Sequence, residues 1–447
     1  MKKLISLILA LALVMGLAVS ASAATIAVQD VVDGETYTAY KILNYTHSGD
    51  AYSYYLTSEE YASIGGVLEE AGFKFTASAD GTQYFVNNAG AFDAAAAATT
   101  LSSSNLGNAL GKYTATGASG SATFTNLTTG YYFVTSTTGS LCALHSDTDI
   151  ATAVEKNTLP TIDKTEKLES ENNYVNGPID VNYGDAVNYQ LVITDGTGTD
   201  KDITVTDTMT SGITYTTGSL KINGTAVADD ADTANWKVTV SGQTITIVFK
   251  AAYVATVDTA KTITVNYDAT INNAATVNSA TANSNRVTMV YSAQSSNDTV
   301  YVATYDFKLM KTDGTNFLNG AGFKLYDAKT DGNLIKVGKD ATGYYVDATK
   351  DEEIMVDNAN GVNIRGLAPG TYYLEETTVP AGYNKLAERQ EVPITTGATA
   401  PVEVTVVNSA GSELPSTGGI GTTLFYVIGG LLMAGAAVLL ITKKRMA

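Results

Sequence analysis

The sequence predicts a mainly β protein of tandem β-sandwich domains, the first of which carries added helices. Three observations lead there. Tyr occurs 27 times, Thr and Val are plentiful, and charged residues make up only 16% of the 447, a composition that favours strands. Apolar and polar residues alternate over short runs set apart by Gly and Asp turns, as half-buried strands require. At roughly 100–200 residues per domain, the length accommodates several cores rather than one.

The elements follow in chain order. Residues 1–23 open with Lys2 and Lys3, run through an apolar stretch from Leu4 to Val19 and finish Ala21-Ser22-Ala23, the layout of a cleavable secretory signal. An N-terminal domain, 24–158, mixes strands such as Thr36–Leu43 and Tyr131–Ser136 with two helical stretches. The first, near Ser58–Ala71, opens on Thr57-Ser58-Glu59-Glu60, a capping box in which hydroxyl and carboxylate satisfy free backbone N–H groups. The second is the alanine-rich Ala89–Leu110. A middle domain, 159–300, is Thr- and Val-rich and alternating, as a sandwich demands. A smaller all-β domain, 301–410, has short strands and tight turns. The tail, 411–447, holds the apolar run Ile420–Ile441, long enough to cross a bilayer, and then Lys443, Lys444 and Arg445, which hold that end in the cytoplasm.

Charge and composition exclude several functions. With 27 basic residues against 45 acidic, the formal charge is −18, which argues against nucleic acid as a partner. The two ends carry five basic residues and no acidic ones, so the piece between them has 22 against 45. Such an exterior keeps a polymer soluble outside the cell. Two His and one Cys are too few for a His-rich metal centre, an internal disulfide or a Cys-based zinc site. No phosphate loop or nucleophile elbow is present, so neither cofactor, metal nor enzymatic turnover is expected.

Just before the apolar run stands Leu414-Pro415-Ser416-Thr417-Gly418. Pro415 keeps this segment out of a helix, and Ser409 to Glu413 give it a flexible approach. Motif, apolar run and basic tail together resemble the sorting signal of Gram-positive surface proteins. The resemblance implies a sortase cysteine that attacks the Thr417 carbonyl and releases Gly418, while the span holds the substrate in place.

The 301–410 domain carries Asp306-Phe307-Lys308-Leu309-Met310-Lys311 and, further on, Tyr372-Tyr373-Leu374-Glu375-Glu376-Thr377 with Pro380-Ala381-Gly382-Tyr383. These resemble the collagen-adhesin B-type domain and its E-box, an immunoglobulin-like fold. The resemblance implies a bond between Lys311 on the first strand and Asn408 on the last, promoted by Glu376. Strand parity agrees. Lys311 shares a face with Phe307 and Leu309, Asn408 with Val404 and Val406, and Glu376 with Tyr372 and Leu374. Burial favours the neutral forms of both an amine and a carboxylic acid, as that reaction requires.

The middle domain begins Ile162-Asp163-Lys164, passes Val205-Thr206-Asp207 and ends with Asn285-Arg286-Val287-Thr288-Met289. It resembles the central domains of backbone pilins, which implies a second set, Lys164, Asp207 and Asn285. Parity again puts each on an apolar face, and Asn283, of the same parity, is the rival acceptor. Upstream, Glu155-Lys156-Asn157 occupies the position of the pilin motif, although only Lys and Asn match and Glu155 stands where Pro is usual. The resemblance makes Lys156 the amine that receives Thr417 of the next subunit, with Lys167 as the alternative. The whole resembles a sortase-assembled backbone pilin, which implies as partners a pilus-type sortase, other copies of itself, accessory pilins and peptidoglycan, with room for a host surface ligand. A monomeric wall-anchored adhesin is the alternative.

Overall fold

The computed structural model describes residues 24–48, 51–87, 92–137, 139–146, 150–155, 157–196, 199, 201–257, 262–411 and 420–445. They form two compact units. One runs to Val181 and takes in Asp185–Thr276 and Ala280–Ala303; the other takes Asn182–Gly184, Val277–Ser279 and the chain from Thr304 onward.

The first unit begins with a small sheet. Ala24–Gln29 lies between Ile150–Val154, parallel to it, and Ser121–Leu127, antiparallel. A longer sheet centres on Thr36–Ser48, which pairs with Ala51–Thr57, Gly111–Thr116 and Gly130–Ser136. Ile26, Val28, Tyr37, Phe124 and Tyr132 fill the space between them. Helical turns over Ser58–Glu70 cover Ile42, Leu56 and Phe133 with Ile64 and Leu68. The expected capping box is formed: Glu60 N donates to Thr57 Oγ1, and Thr57 N donates to a Glu60 carboxylate oxygen. Tyr61–Gly65 winds wider, as a π-turn.

The alanine-rich helix spans Ala94–Ser103, shorter than Ala89–Leu110. Its end has a local cause. Ser102 and Ser104 turn their hydroxyls back to the carbonyls of Ala98 and Thr100, at 2.5 and 2.7 Å, and Asn105 then caps a turn at Gly107 N. Hydroxyls that compete for the helix's own acceptors weaken its last turn.

The same unit contains a two-layered sandwich. In one layer Thr161–Leu168, Ala186–Thr194 and Thr262–Ile271 run antiparallel in that order. The other orders Gln294–Ala303, Asn283–Tyr291, Ile203–Met209, Thr244–Phe249 and Trp236–Ser241. Every second side chain of Ala186–Thr194 and Thr262–Ile271 is buried, so the sequence alternation is the core itself.

In the second unit, Tyr305–Thr312 pairs antiparallel with Val362–Leu367 and parallel with Val402–Val407. The facing layer joins Ala321–Tyr326, Gly370–Thr378 and Gln390–Ile394. A helix, Ile420–Arg445, ends the described chain; its stretch Phe425–Lys443 is long and apolar enough to cross a membrane, and its side chains are exposed.

Candidate functional site

Lys164, Asp207 and Asn285 converge inside the sandwich. Lys164 comes from one layer, on the strand Thr161–Leu168; Asp207 and Asn285 come from the other. Asp207 lies opposite Val287 and Asn285 opposite Met209, so acid and amide are diagonal neighbours on paired strands. All three are essentially inaccessible to solvent. Lys164 Nζ lies 2.5 Å from Asp207 Oδ2. Burial drives the Lys164 pKa below the usual lysine range, and the Asp207 carboxyl opposes that shift.

A residue the sequence reading did not single out joins them. Tyr267 Oη accepts from Lys164 Nζ at 3.0 Å and from Asn285 Nδ2 at 2.7 Å, and donates to Asp207 Oδ2 at 2.8 Å. Its ring and that of Tyr189 stack at 5.4 Å, with the lysine Nζ 5.4 and 5.1 Å from their centroids. Asp207 Oδ1 and Asn285 Oδ1 are buried without hydrogen-bond partners. The rival Asn283 is held elsewhere: its Nδ2 donates to the carbonyls of Thr276 and Val302, and its Oδ1 accepts from Thr276 N.

Glu166 is the second residue missed. It is fully buried two positions after Lys164, on the same face of the strand. Neither carboxyl oxygen is in ordinary hydrogen-bond geometry with a donor. Burial pushes its pKa up to about 9, against the opposing pull of Lys164 and the more distant N–H groups of Tyr301 and Ile179. In the unfolded chain the carboxyl ionises near 4.5. The folded state therefore binds the extra proton between these values, and stability falls as pH rises from about 4.5 towards about 9. Glu166→Gln should accordingly melt above wild type at pH 8, with the gap closing at pH 4. An equal gap at both pH values would assign the effect to packing instead.

The second unit brings together Lys311, Glu376 and Asn408, each buried. Lys311 pairs with Val406 in the parallel register, and Asn408 N donates to Thr312 O at 3.0 Å, so amine and amide sit on neighbouring strands of one layer. Glu376 reaches them from the facing layer. Its Oε1 accepts from Asn408 Nδ2 at 2.7 Å and lies 3.8 Å from Lys311 Nζ; its Oε2 accepts from Leu386 N at 2.9 Å. Burial lowers the Lys311 pKa, with Glu376 opposing. Asn408 Oδ1 is buried without a partner. Each set thus holds an amine, a carboxyl and an amide in a buried interior, the components of an amide exchange that expels ammonia.

Lys156 and Leu414–Gly418 lie outside the described residues. The approach to Lys156 is described: Ile150–Val154 is locked against Ala24–Gln29, and Glu155, buried, donates its N–H to Gln29 O at 2.8 Å. The alternative, Lys167, donates its amine to Glu171 O at 2.6 Å and lies over the Tyr174 ring.

Comparison with known proteins now bears on these sites. Residues 305–410 match the family model for the SpaA prealbumin-like fold domain, and residues 406–447 match the LPXTG cell wall anchor motif of Gram-positive bacteria. The chain is a cell-wall-anchored surface protein. Its structure resembles the T6 backbone pilin of serotype M6 Streptococcus pyogenes, at 18% identity over 84% of this chain and 81% of that one, with a TM-score of 0.55. It also resembles the full-length major pilin SpaD of Corynebacterium diphtheriae, at 16% identity over 88% and 98%, with a TM-score of 0.50. The wall-anchored chain therefore has the tandem immunoglobulin-like fold of Gram-positive backbone pilins. No curated protein matches it in sequence.

Proposed function

We propose that the chain is the major structural subunit of a covalently polymerised cell-surface pilus. A sortase joins Thr417 of one subunit to Lys156 of the next, and intramolecular Lys–Asn bonds stabilise each subunit. The observation that carries this reading is the pair of buried amine–acid–amide sets, in a wall-anchored chain with a backbone-pilin fold. Water-soluble surface domains gain nothing from three buried polar groups unless they react or pair well.

In each set the carboxylate takes a proton from the ammonium, leaving a neutral amine. The lysine Nζ attacks the asparagine Cγ, the Cγ–Nδ2 bond breaks, and ammonia leaves. The acid shuttles the protons between the two nitrogens. The reaction occurs once per site, so the protein is a structural subunit and no turnover enzyme. The bond from Lys164 to Asn285 ties one layer of the sandwich to the other, whereas that from Lys311 to Asn408 ties the first strand to the last within one layer.

The decisive experiment is a denaturing gel of wall extracts from cells that carry the native pilus-type sortase. Wild type should give a ladder of high-mass species, and Thr417→Ala should lose both ladder and wall attachment. A wild type that reaches the wall only as single subunits would make it a monomeric anchored adhesin.

Stability supplies a further expectation. The Lys311–Asn408 bond closes a loop of roughly 97 residues, and by analogy with a disulfide it contributes about 4–5 kcal/mol by restricting the unfolded chain. Lys311→Ala should lower the melting temperature of that domain and open it to trypsin. Identical melting and digestion would argue that the bond is absent or irrelevant to stability.

A further inference from the structure

The middle site places a phenol hydroxyl, that of Tyr267, among its amine, acid and amide, and the hydrogen bonds described at the C-terminal site include none. We infer that Tyr267 is a catalytic residue of the Lys164–Asn285 reaction, relaying the proton between Asp207 and the nitrogen that leaves; the inference rests on the cross-linking chemistry proposed above. Four facts carry it. Tyr267 Oη is within hydrogen-bond distance of both reacting nitrogens and of the acid, at 3.0, 2.7 and 2.8 Å. A phenol has one proton to give and two lone pairs, and here all three positions are engaged by the reacting groups. The ring is fixed by stacking on Tyr189 and by an edge contact with Tyr215, at 5.4 and 5.9 Å. All four groups are sealed from bulk solvent.

The steps balance without an outside reagent. Lys164 gives one proton directly to Asp207 across their 2.5 Å contact. Its neutral amine then attacks Asn285 Cγ. Asp207 returns that proton to Tyr267 Oη while Tyr267 hands its own to Asn285 Nδ2. The attacking nitrogen releases a further proton to Asp207, and the Cγ–Nδ2 bond breaks. The products are one secondary amide, one ammonia and a protonated Asp207. Burial holds the phenol well above its usual pKa, so Tyr267 acts as a neutral relay and not as a base. The C-terminal set works by another geometry: Asn408 Nδ2 donates directly to Glu376 Oε1, with no hydroxyl between them in the hydrogen bonds described.

That difference provides an internal control. Tyr267→Phe keeps the ring and removes the oxygen. The ectodomain, Ala24–Thr417, would be purified after a short induction and weighed at intervals, with peptide mapping of both sites. Trp236, the chain's single tryptophan, lies on a strand of this sandwich and reports its folding by fluorescence. Wild type should lack two ammonia molecules. Tyr267→Phe should show native Trp236 emission and a complete Lys311–Asn408 bond, while the Lys164–Asn285 bond forms about 10²-fold more slowly or not at all, the usual scale for a lost general acid–base group. Formation of the middle bond at the wild-type pace would overturn the inference. So would an unfolded Trp236 emission, which would assign the hydroxyl to folding rather than to the reaction. A wild type that loses no ammonia would reject the cross-linking reading itself, and this inference with it.

Discussion

The recombinant ectodomain, Ala24–Thr417, is expected to weigh less than its sequence mass by two molecules of ammonia. Each loss belongs to one buried set. Asp207→Ala should restore one, because Lys164 then has no proton acceptor at 2.5 Å, and Glu376→Ala should restore the other, because Asn408 loses its only described side-chain partner. The two effects should be independent, since the sets lie in separate compact units. Peptide mapping should find Lys164 joined to Asn285 and leave Asn283 free, whose amide is taken up by the backbone of Thr276 and Val302. An unmodified wild-type mass would falsify both cross-links at once. A single missing ammonia that survives Glu376→Ala would leave only the middle bond.

The family resemblances named the residues of these sets, and strict strand periodicity agreed with them. A side chain on a strand faces the core or the solvent, and neighbours two apart settle which. Lys164, Asp207, Lys311, Glu376 and Asn408 could therefore be placed on apolar faces from Ile162, Val205, Leu309, Leu374 and Val406 alone. Parity could not separate Asn283 from Asn285, which share a face. Cross-strand register separates them: Ile203–Met209 ends where Met209 meets Asn285, so Asn283 lies past the end of the strand that carries the acid. Tyr267 was hidden for a related reason. At an inward position between Val265 and Ala269 its ring looks like ordinary core, and only the distance across the two layers shows where its hydroxyl falls. Glu166 shares the face of Lys164, so its parity was readable, but parity says nothing of how completely a carboxyl is stripped of partners. The helix Ala94–Ser103 was overextended because alanine content outweighed the run of hydroxyls that ends it.

Replacing Lys156 by Ala in the native cell is expected to abolish the high-mass ladder entirely, while single subunits still reach the wall through Thr417. The reason is the chemistry of the joining step. A covalent polymer needs one electrophile and one nucleophile per subunit, and the sorting motif supplies only the first. The amine must be exposed enough to enter a sortase cleft. Lys164 and Lys311 are fully buried, and Lys167 is turned back onto Glu171 O and the Tyr174 ring. Lys156 itself lies outside the described residues; the residue before it, Glu155, has its backbone anchored to Gln29 at the end of the strand Ile150–Val154. Asn157 N also donates to Glu155 Oε1 at 2.9 Å, so the backbone on either side of Lys156 is tied to one buried residue. A ladder that persists in Lys156→Ala would move the acceptor elsewhere, with Lys167→Ala as the next variant. Loss of the ladder in Lys156→Ala together with loss of wall attachment would point to failed export or folding, and an unchanged ectodomain mass and melting temperature would exclude that. Loss of the ladder alone would fix the acceptor at Lys156, one residue beyond a buried glutamate that stands where the related motif has proline.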